Sequence, residues 1–245
     1  QAGLFISNIW EPDQVALIDE MADVPAIRGE GETLIWSGDG TILAYATLNG
    51  VRVHFRPSNF FDIAVGEIQN LDWSPTGQYL LAESKDHIWW VYQKDGTTMN
   101  LVSVVPPSNG VTWLNETTLM FAPVEGGLLA MNLADGNAQT TLLNPQQIYS
   151  LPYRIAEGTF RVFAKAPSEE GLGILPLVQM NNGQIITEEI GSADVVVNDV
   201  RWAPRGELLI AFQGNALALV DPMSGAGFTL PITSAVSYGW GAVQS

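Results

Sequence analysis

An all-β fold is what this 245-residue sequence predicts, and three observations carry it. The 3.6-residue apolar period of an amphipathic helix is almost absent, whereas short alternating or continuous apolar runs recur from end to end. Turn signals rich in Gly, Asn and Asp separate those runs. One short strand ending in an aromatic residue returns six times, as TLIWSGDG, NLDWSPTG, GVTWLNET, SLPYRIAEG, DVRWAPRG and SYGWGA. Its aromatics, Trp36, Trp73, Trp113, Tyr153, Trp202 and Trp240, lie 37, 40, 40, 49 and 38 residues apart, a mean of about 41, which is the span of a four-stranded propeller blade. The expectation is a single six-bladed β-propeller of four-stranded antiparallel blades. A closed all-β domain of this length has room for an ample core.

Each repeat has the same internal order. The aromatic strand A is followed by an apolar strand B (TILAYAT, QYLLAES, TLMFAPV, TFRVFAKA, ELLIAFQ) and a strand C (GVRVHF, HIWWVY, GLLAMNL, LGILPLV, NALALVD). Strand D follows the turn signals PSN, KDG, ADG, NNG and MSG, where Gly or Asn supplies the positive φ of a tight hairpin. Blades are expected at about 24–65, 66–104, 105–144, 145–192 and 193–233. The opening segment GLFISNIWEPDQVALIDE aligns without a gap on GLLAMNLADGNAQTTLLN, so it reads as a C and D pair lacking its own A and B. The closing blade is therefore expected to join residues 1–20 to 234–245, with its A strand at 237–242, which removes exposed sheet edges. Its B strand is not visible. A stub after Gly241, a chain that continues further, or a strand supplied by a partner through β-augmentation would each complete it.

Composition narrows the function. With 26 acidic and 10 basic residues, a formal charge of −16 and no basic cluster, the surface repels nucleic acid and anionic membrane. Absence of cysteine removes disulfides, thiolate nucleophiles and Cys-based metal sites. No apolar run reaches the length of a membrane-spanning helix, and Gln1-Ala2-Gly3 lacks the basic start of a signal peptide, as a mature form with its signal removed would.

At WSGDGTILAYAT, WSPTGQYLLAE and WAPRGELLIAF, followed by hairpins such as KDGTTMNLV and ADGNAQTTLL, the sequence resembles TolB-type and WD-repeat-like propellers. The resemblance covers nearly the whole chain as a repeat pattern. WLNET and YRIAEG depart from it, the first lacking the Pro and Gly of the turn and the second replacing the Trp. It implies a binding or scaffolding platform, extracytoplasmic in TolB-like proteins. The Gly-His and Trp-Asp pairs of true WD repeats are missing from the blade ends, which favours a periplasmic or secreted bacterial protein.

Candidate chemistry is sparse. The only histidines, His54 and His87, fall in or beside C strands, away from the expected channel, and no GxSxG elbow occurs, so an activated nucleophile is not expected. Asp39, Asp95, Asp135 and Asp221 recur singly in turns, which is ordinary turn chemistry, and no metal or cofactor set is read from them. Adjacent Trp89 and Trp90 must point to opposite faces of one blade and are expected to pack between blades. Trp10, in the expected turn Trp10-Glu11-Pro12-Asp13, is a candidate surface contact. Binding residues are expected on the loops leading into strands A and joining B to C: Glu30, Glu32, Glu67, Asn70, Asn109, Tyr149 and Asp199, with the insertion carrying Glu169 and Glu170.

The functional expectation is a non-enzymatic protein- or peptide-binding propeller, outside the cytoplasm, whose acidic surface suits a basic or neutral partner. Two alternatives stay open: an enzyme or accessory domain of carbohydrate or peptide processing that uses carboxylates at the channel mouth, and a structural subunit of a larger assembly.

Overall fold

The computed structural model describes residues 4–8, 11–20, 22–23, 33–55, 59–156, 159–164, 174–181, 184–191, 197–202, 208–212, 217–221 and 227–229. It forms two compact units, residues 1–107 and 108–245.

The first unit begins with an antiparallel pair, β1 (Leu4–Asn8) and β2 (Glu11–Asp19). The expected turn at Glu11-Pro12-Asp13 is therefore strand, and Trp10 lies outside the described residues. Two four-stranded sheets follow. The first has β3 (Leu34–Trp36), β4 (Ile42–Thr47), β5 (Gly50–Phe55) and β6 (Asn59–Ala64) in sequence order. The second has β7 (Ile68–Trp73), β8 (Tyr79–Ser84), β9 (Trp89–Asp95) and β10 (Thr98–Val105). In the second unit, β11 (Ser108–Trp113), β12 (Thr118–Pro123), β13 (Leu128–Asn132) and β14 (Ala138–Leu143) form one sheet. Another contains β15 (Tyr149–Ala156), β16 (Thr159–Ala164), β17 (Ile174–Asn181) and β18 (Gln184–Gly191). The last contains β19 (Val197–Trp202), β20 (Leu208–Phe212), β21 (Leu217–Val220) and β22 (Gly227–Thr229). β10 ends at Val105, one residue past the expected blade bound of 104. The expected closing strand at 237–242 lies outside the described residues.

The continuous apolar runs of β4, β8, β12 and β16 have a direct cause: these strands are buried on both faces along most of their length. Along β4, Ile42, Ala44 and Ala46 enter one core with Leu71, Trp73 and Leu80 of the β7–β10 sheet. The intervening Leu43 and Tyr45 enter another, with Leu4 and Ile18 of the β1–β2 pair packed against it. Period-two alternation thus feeds two cores from one strand. In the second unit, Met120, Ala122, Tyr149, Phe160 and Val162 share a core between the β11–β14 and β15–β18 sheets. The last strand β14 is less covered, with Ala138, Gln139, Thr140 and Thr141 all exposed. Trp89 is buried and Trp90 packs half-buried against the core shared with β4, so the pair does occupy opposite faces.

The repeated turn after strand A is built twice in the same way. Ser37 and Ser74, both buried, accept backbone hydrogen bonds on Oγ from Ile42 at 3.0 Å and Tyr79 at 2.9 Å. Gly40 and Gly77 close the turns by donating to the carbonyls of Ser37 and Ser74, each at 2.8 Å. WLNET departs from this pattern as its sequence suggests: the Leu114 amide donates to the Thr118 carbonyl at 2.8 Å, and Asn115 Oδ1 accepts from the Thr117 amide at 3.0 Å. Between β13 and β14, the ADG signal becomes a short 3-10 turn, Leu133–Asp135, closed by Gly136 at φ 58°.

Candidate functional site

The strongest polar convergence among the expected loops lies in the β7–β10 sheet. Glu67 and Lys85, from the segment leading into β7 and the turn between β8 and β9, form an exposed ion pair at 3.1 Å. The same two residues are joined through their backbones, Lys85 N–H donating to the Glu67 carbonyl at 3.2 Å. Beside them in the chain lies Glu83, next to the last residue of the apolar strand YLLAES and buried. A carboxylate removed from water needs donors. It receives one from the amide of Asn70 on β7 and another from His87 Nδ1 at 2.7 Å.

His87 is held at φ 57°, in the left-handed region that side-chain-bearing residues rarely adopt. Its ring is 61% exposed while its carboxylate partner is 6% exposed, so a surface imidazole is anchored to a buried charge. With Nδ1 engaged by Glu83, the exposed ring keeps its other nitrogen for a further polar contact. The His87 amide also donates to the Ser84 carbonyl at 3.0 Å, which fixes the turn from both backbone and side chain. The arrangement presents an anchored imidazole, a carboxylate and an ammonium on one loop face, a set suited to recognition of polar groups.

In the second unit, Asn109 on β11 donates from Nδ2 to the Tyr149 carbonyl at 3.1 Å, tying two neighbouring strand starts together. Tyr149 itself is buried among Met120, Phe160 and Val162, and burial pushes its phenol pKa up; it therefore offers Asn109 a carbonyl and presents no phenol at the surface. Asp199 lies in β19 beside an irregularity between Val197 and Asp199. Glu30, Glu32, Glu169, Glu170 and Trp10 lie outside the described residues. Sequence reading did not single out Glu83; the available signal was one acid inside an otherwise apolar B strand. No group of three or more His, Asp or Glu arranged for a metal occurs among the described residues. No helix among them is long and apolar enough to cross a membrane.

A second polar network, unforeseen from sequence, joins the β1–β2 pair to the β3–β6 sheet. Asp19 Oδ2, buried, accepts from Tyr45 Oη at 2.9 Å and from Arg52 Nη1 at 3.0 Å. Arg52 grips Asp62 in a fork, at 2.5 and 2.7 Å, and lies over the Phe60 ring at 5.6 Å. Burial and the Asp19 hydrogen bond push the Tyr45 phenol far above its ordinary range, while Arg52 holds Asp62 below the usual carboxylate value. Every charge in this group has a partner, which marks it as a structural clasp. Inside the first unit, His54 does not belong to a reactive cluster either: it is buried and stacks on Phe60 at 4.5 Å.

No family model matches the chain, and no curated protein matches it. Among solved structures, it is similar to the C-terminal WD40 domain of Sif2, with 14% identity, 78% of this chain and 66% of that chain covered, and a TM-score of 0.51. A chain of the mitotic checkpoint complex matches with 15% identity, 80% and 62% coverage and a TM-score of 0.55. The β-propeller domain of Cps50 (Swd1) from Myceliophteria thermophila matches with 16% identity, 78% and 65% coverage and a TM-score of 0.54. The chain thus spans just under two thirds of the length of these structures. With the four-stranded antiparallel sheets above, these likenesses define the fold as a WD-repeat-like β-propeller.

Proposed function

We propose that this chain is a non-enzymatic propeller that binds a protein or peptide through the loop face of the β7–β10 sheet. The observation that carries the reading is the exposed His87 imidazole, locked to buried Glu83 beside the Glu67–Lys85 pair. Locked side chains lose little freedom on binding, which favours recognition. Propeller neighbours support it by analogy of fold, one of them being part of a mitotic checkpoint complex. A net charge of −16 favours a basic partner sequence. The resemblance of the repeats to TolB-type propellers supports a place outside the cytoplasm, periplasmic in a bacterium, which fractionation of cells producing the native gene product checks.

The test is selection of random twelve-residue peptides on immobilised protein, followed by titration of the winners. Selected peptides should be rich in Lys and Arg, and His87→Ala with Glu67→Gln should weaken them about tenfold or more while thermal unfolding of the variant stays near that of the parent. Peptides indifferent to both substitutions would show that the loop face is not the binding surface.

A further inference from the structure

Among the described residues, the last strand of each sheet is paired on one side only, which leaves a row of backbone donors and acceptors able to pair with another chain unless something blocks it. Among the described strands most are guarded. β2 carries Glu11, Pro12, Asp13 and Asp19; β6 carries Asp62, held by Arg52; β18 carries Glu188 and Glu189; and β22 has three residues. β14 is uncharged but exposes Ala138, Gln139, Thr140 and Thr141, with little apolar area. β10, TMNLVSVV, is different: eight residues, no charge and no proline. Leu101 and Val104 on it are 54% and 50% exposed.

The register explains why these two act together. Leu101 lies opposite Tyr92 and Val104 opposite Trp90, with the irregularity between Leu101 and Ser103 absorbing Val102 as an extra residue. Tyr92 and Trp90 are two apart on β9 and share a face, so the bulge brings Leu101 and Val104 onto that same face. An apolar strip therefore flanks the open edge, continuous with half-buried Trp90.

We infer that the open edge of β10 is a second interaction surface, which accepts an extended segment of another protein as an added strand. The segment is uncharged or basic and sets β-branched or aliphatic side chains over Leu101 and Val104. A second copy of this chain is the poorer occupant, because two molecules of charge −16 repel. The surface is separate from the loop face and does not depend on it.

Strand addition is driven by main-chain hydrogen bonds and tolerates sequence variation, so a generic strand peptide is a fair probe. The full chain is mixed with the acetylated, amidated peptide KVTVKVT and followed by amide hydrogen exchange. Exchange within residues 98–105 should slow about tenfold or more, with residues 84–88 unchanged. Leu101→Lys and Val104→Lys, both at half-exposed positions, should each abolish the effect while thermal unfolding is retained. No protection at 98–105 at millimolar peptide, or equal protection in both variants, would overturn the inference. Concentration-dependent dimers that the same substitutions dissolve would overturn the assigned occupant. Because loop-face binding is read at 84–88 and at His87, either proposal can fail alone.

Discussion

Asp19, Tyr45, Arg52 and Asp62 show how a handful of side chains can decide whether two sheets stay together. Asp19 is buried and relies on the Arg52 guanidinium and the Tyr45 hydroxyl. Removing one partner of a buried ion pair leaves an uncompensated charge, so Arg52→Met should lower unfolding free energy by about 3–5 kcal/mol. Tyr45→Phe keeps the ring in its core and deletes one donor, for a loss of about 1–3 kcal/mol. The apolar replacement of the buried cluster, Arg52→Met with Asp19→Leu and Tyr45→Phe, should recover most of the Arg52→Met loss, since a buried pair exchanged for packed apolar groups is often close to neutral and no buried hydroxyl is then left without its acceptor. Urea unfolding of the three variants checks this; a triple variant no better than Arg52→Met would show that the clasp stabilises by more than mutual charge compensation. Asp39 illustrates a milder case: hydrogen bonds from Ser37 and Thr41 lower its pKa to about 2, so it stays ionised as a turn brace.

At the scale of the element, the repeat signature is a device for bringing neighbouring sheets together. Trp73 Nε1 donates to the Ile35 carbonyl at 3.3 Å, and Trp202 Nε1 to the Leu151 carbonyl at 2.8 Å, each reaching from its own A strand to the preceding one. Trp202 also stacks on Tyr153 and Phe163, at 5.0 and 5.3 Å. The turns nest as well: a Cβ on Gly77 would meet Ser37 Cβ at 2.9 Å, and one on Gly38 would meet the Pro75 carbonyl oxygen at 2.8 Å. Gly77 has φ +75° in addition, whereas Gly40, at φ +68°, has nothing within 4 Å. Gly40→Ala should therefore cost about 1–2 kcal/mol from backbone strain alone. Gly77→Ala should cost about 2–4 kcal/mol, because overpacking adds to that strain. Equal losses in chemical denaturation would show that the nested turns carry no packing constraint. The repeat as a unit of about 41 residues was legible because both its aromatic and its turn have fixed jobs. Glu83 and His87 were less legible, since their meeting depends on β7, β8 and the following turn coming together in space.

For the whole molecule, the dominant long-range property is the charge of −16 on a chain with only ten basic residues. A field of that sign steers cationic ligands and loses its reach as salt shortens the Debye length. Association of a lysine-rich peptide with the loop face should slow about tenfold or more between 0.02 and 0.5 M salt, with dissociation changing much less, when followed by stopped-flow fluorescence. Salt-independent association would mean that local contacts alone govern encounter. Sequence by itself determined the all-β class, the order of strands within each repeat and the positions of the shared turns, because period-two burial and positive-φ turns are written locally. Only tertiary structure decided that Glu11-Pro12-Asp13 is strand, that Tyr149 is core, that His87 is tied to Glu83, and that Arg52 bridges Asp19 and Asp62. Those outcomes depend on which residues meet across 4 to 33 positions of chain and which of them lose access to water, and burial by a distant segment leaves no local mark in the sequence.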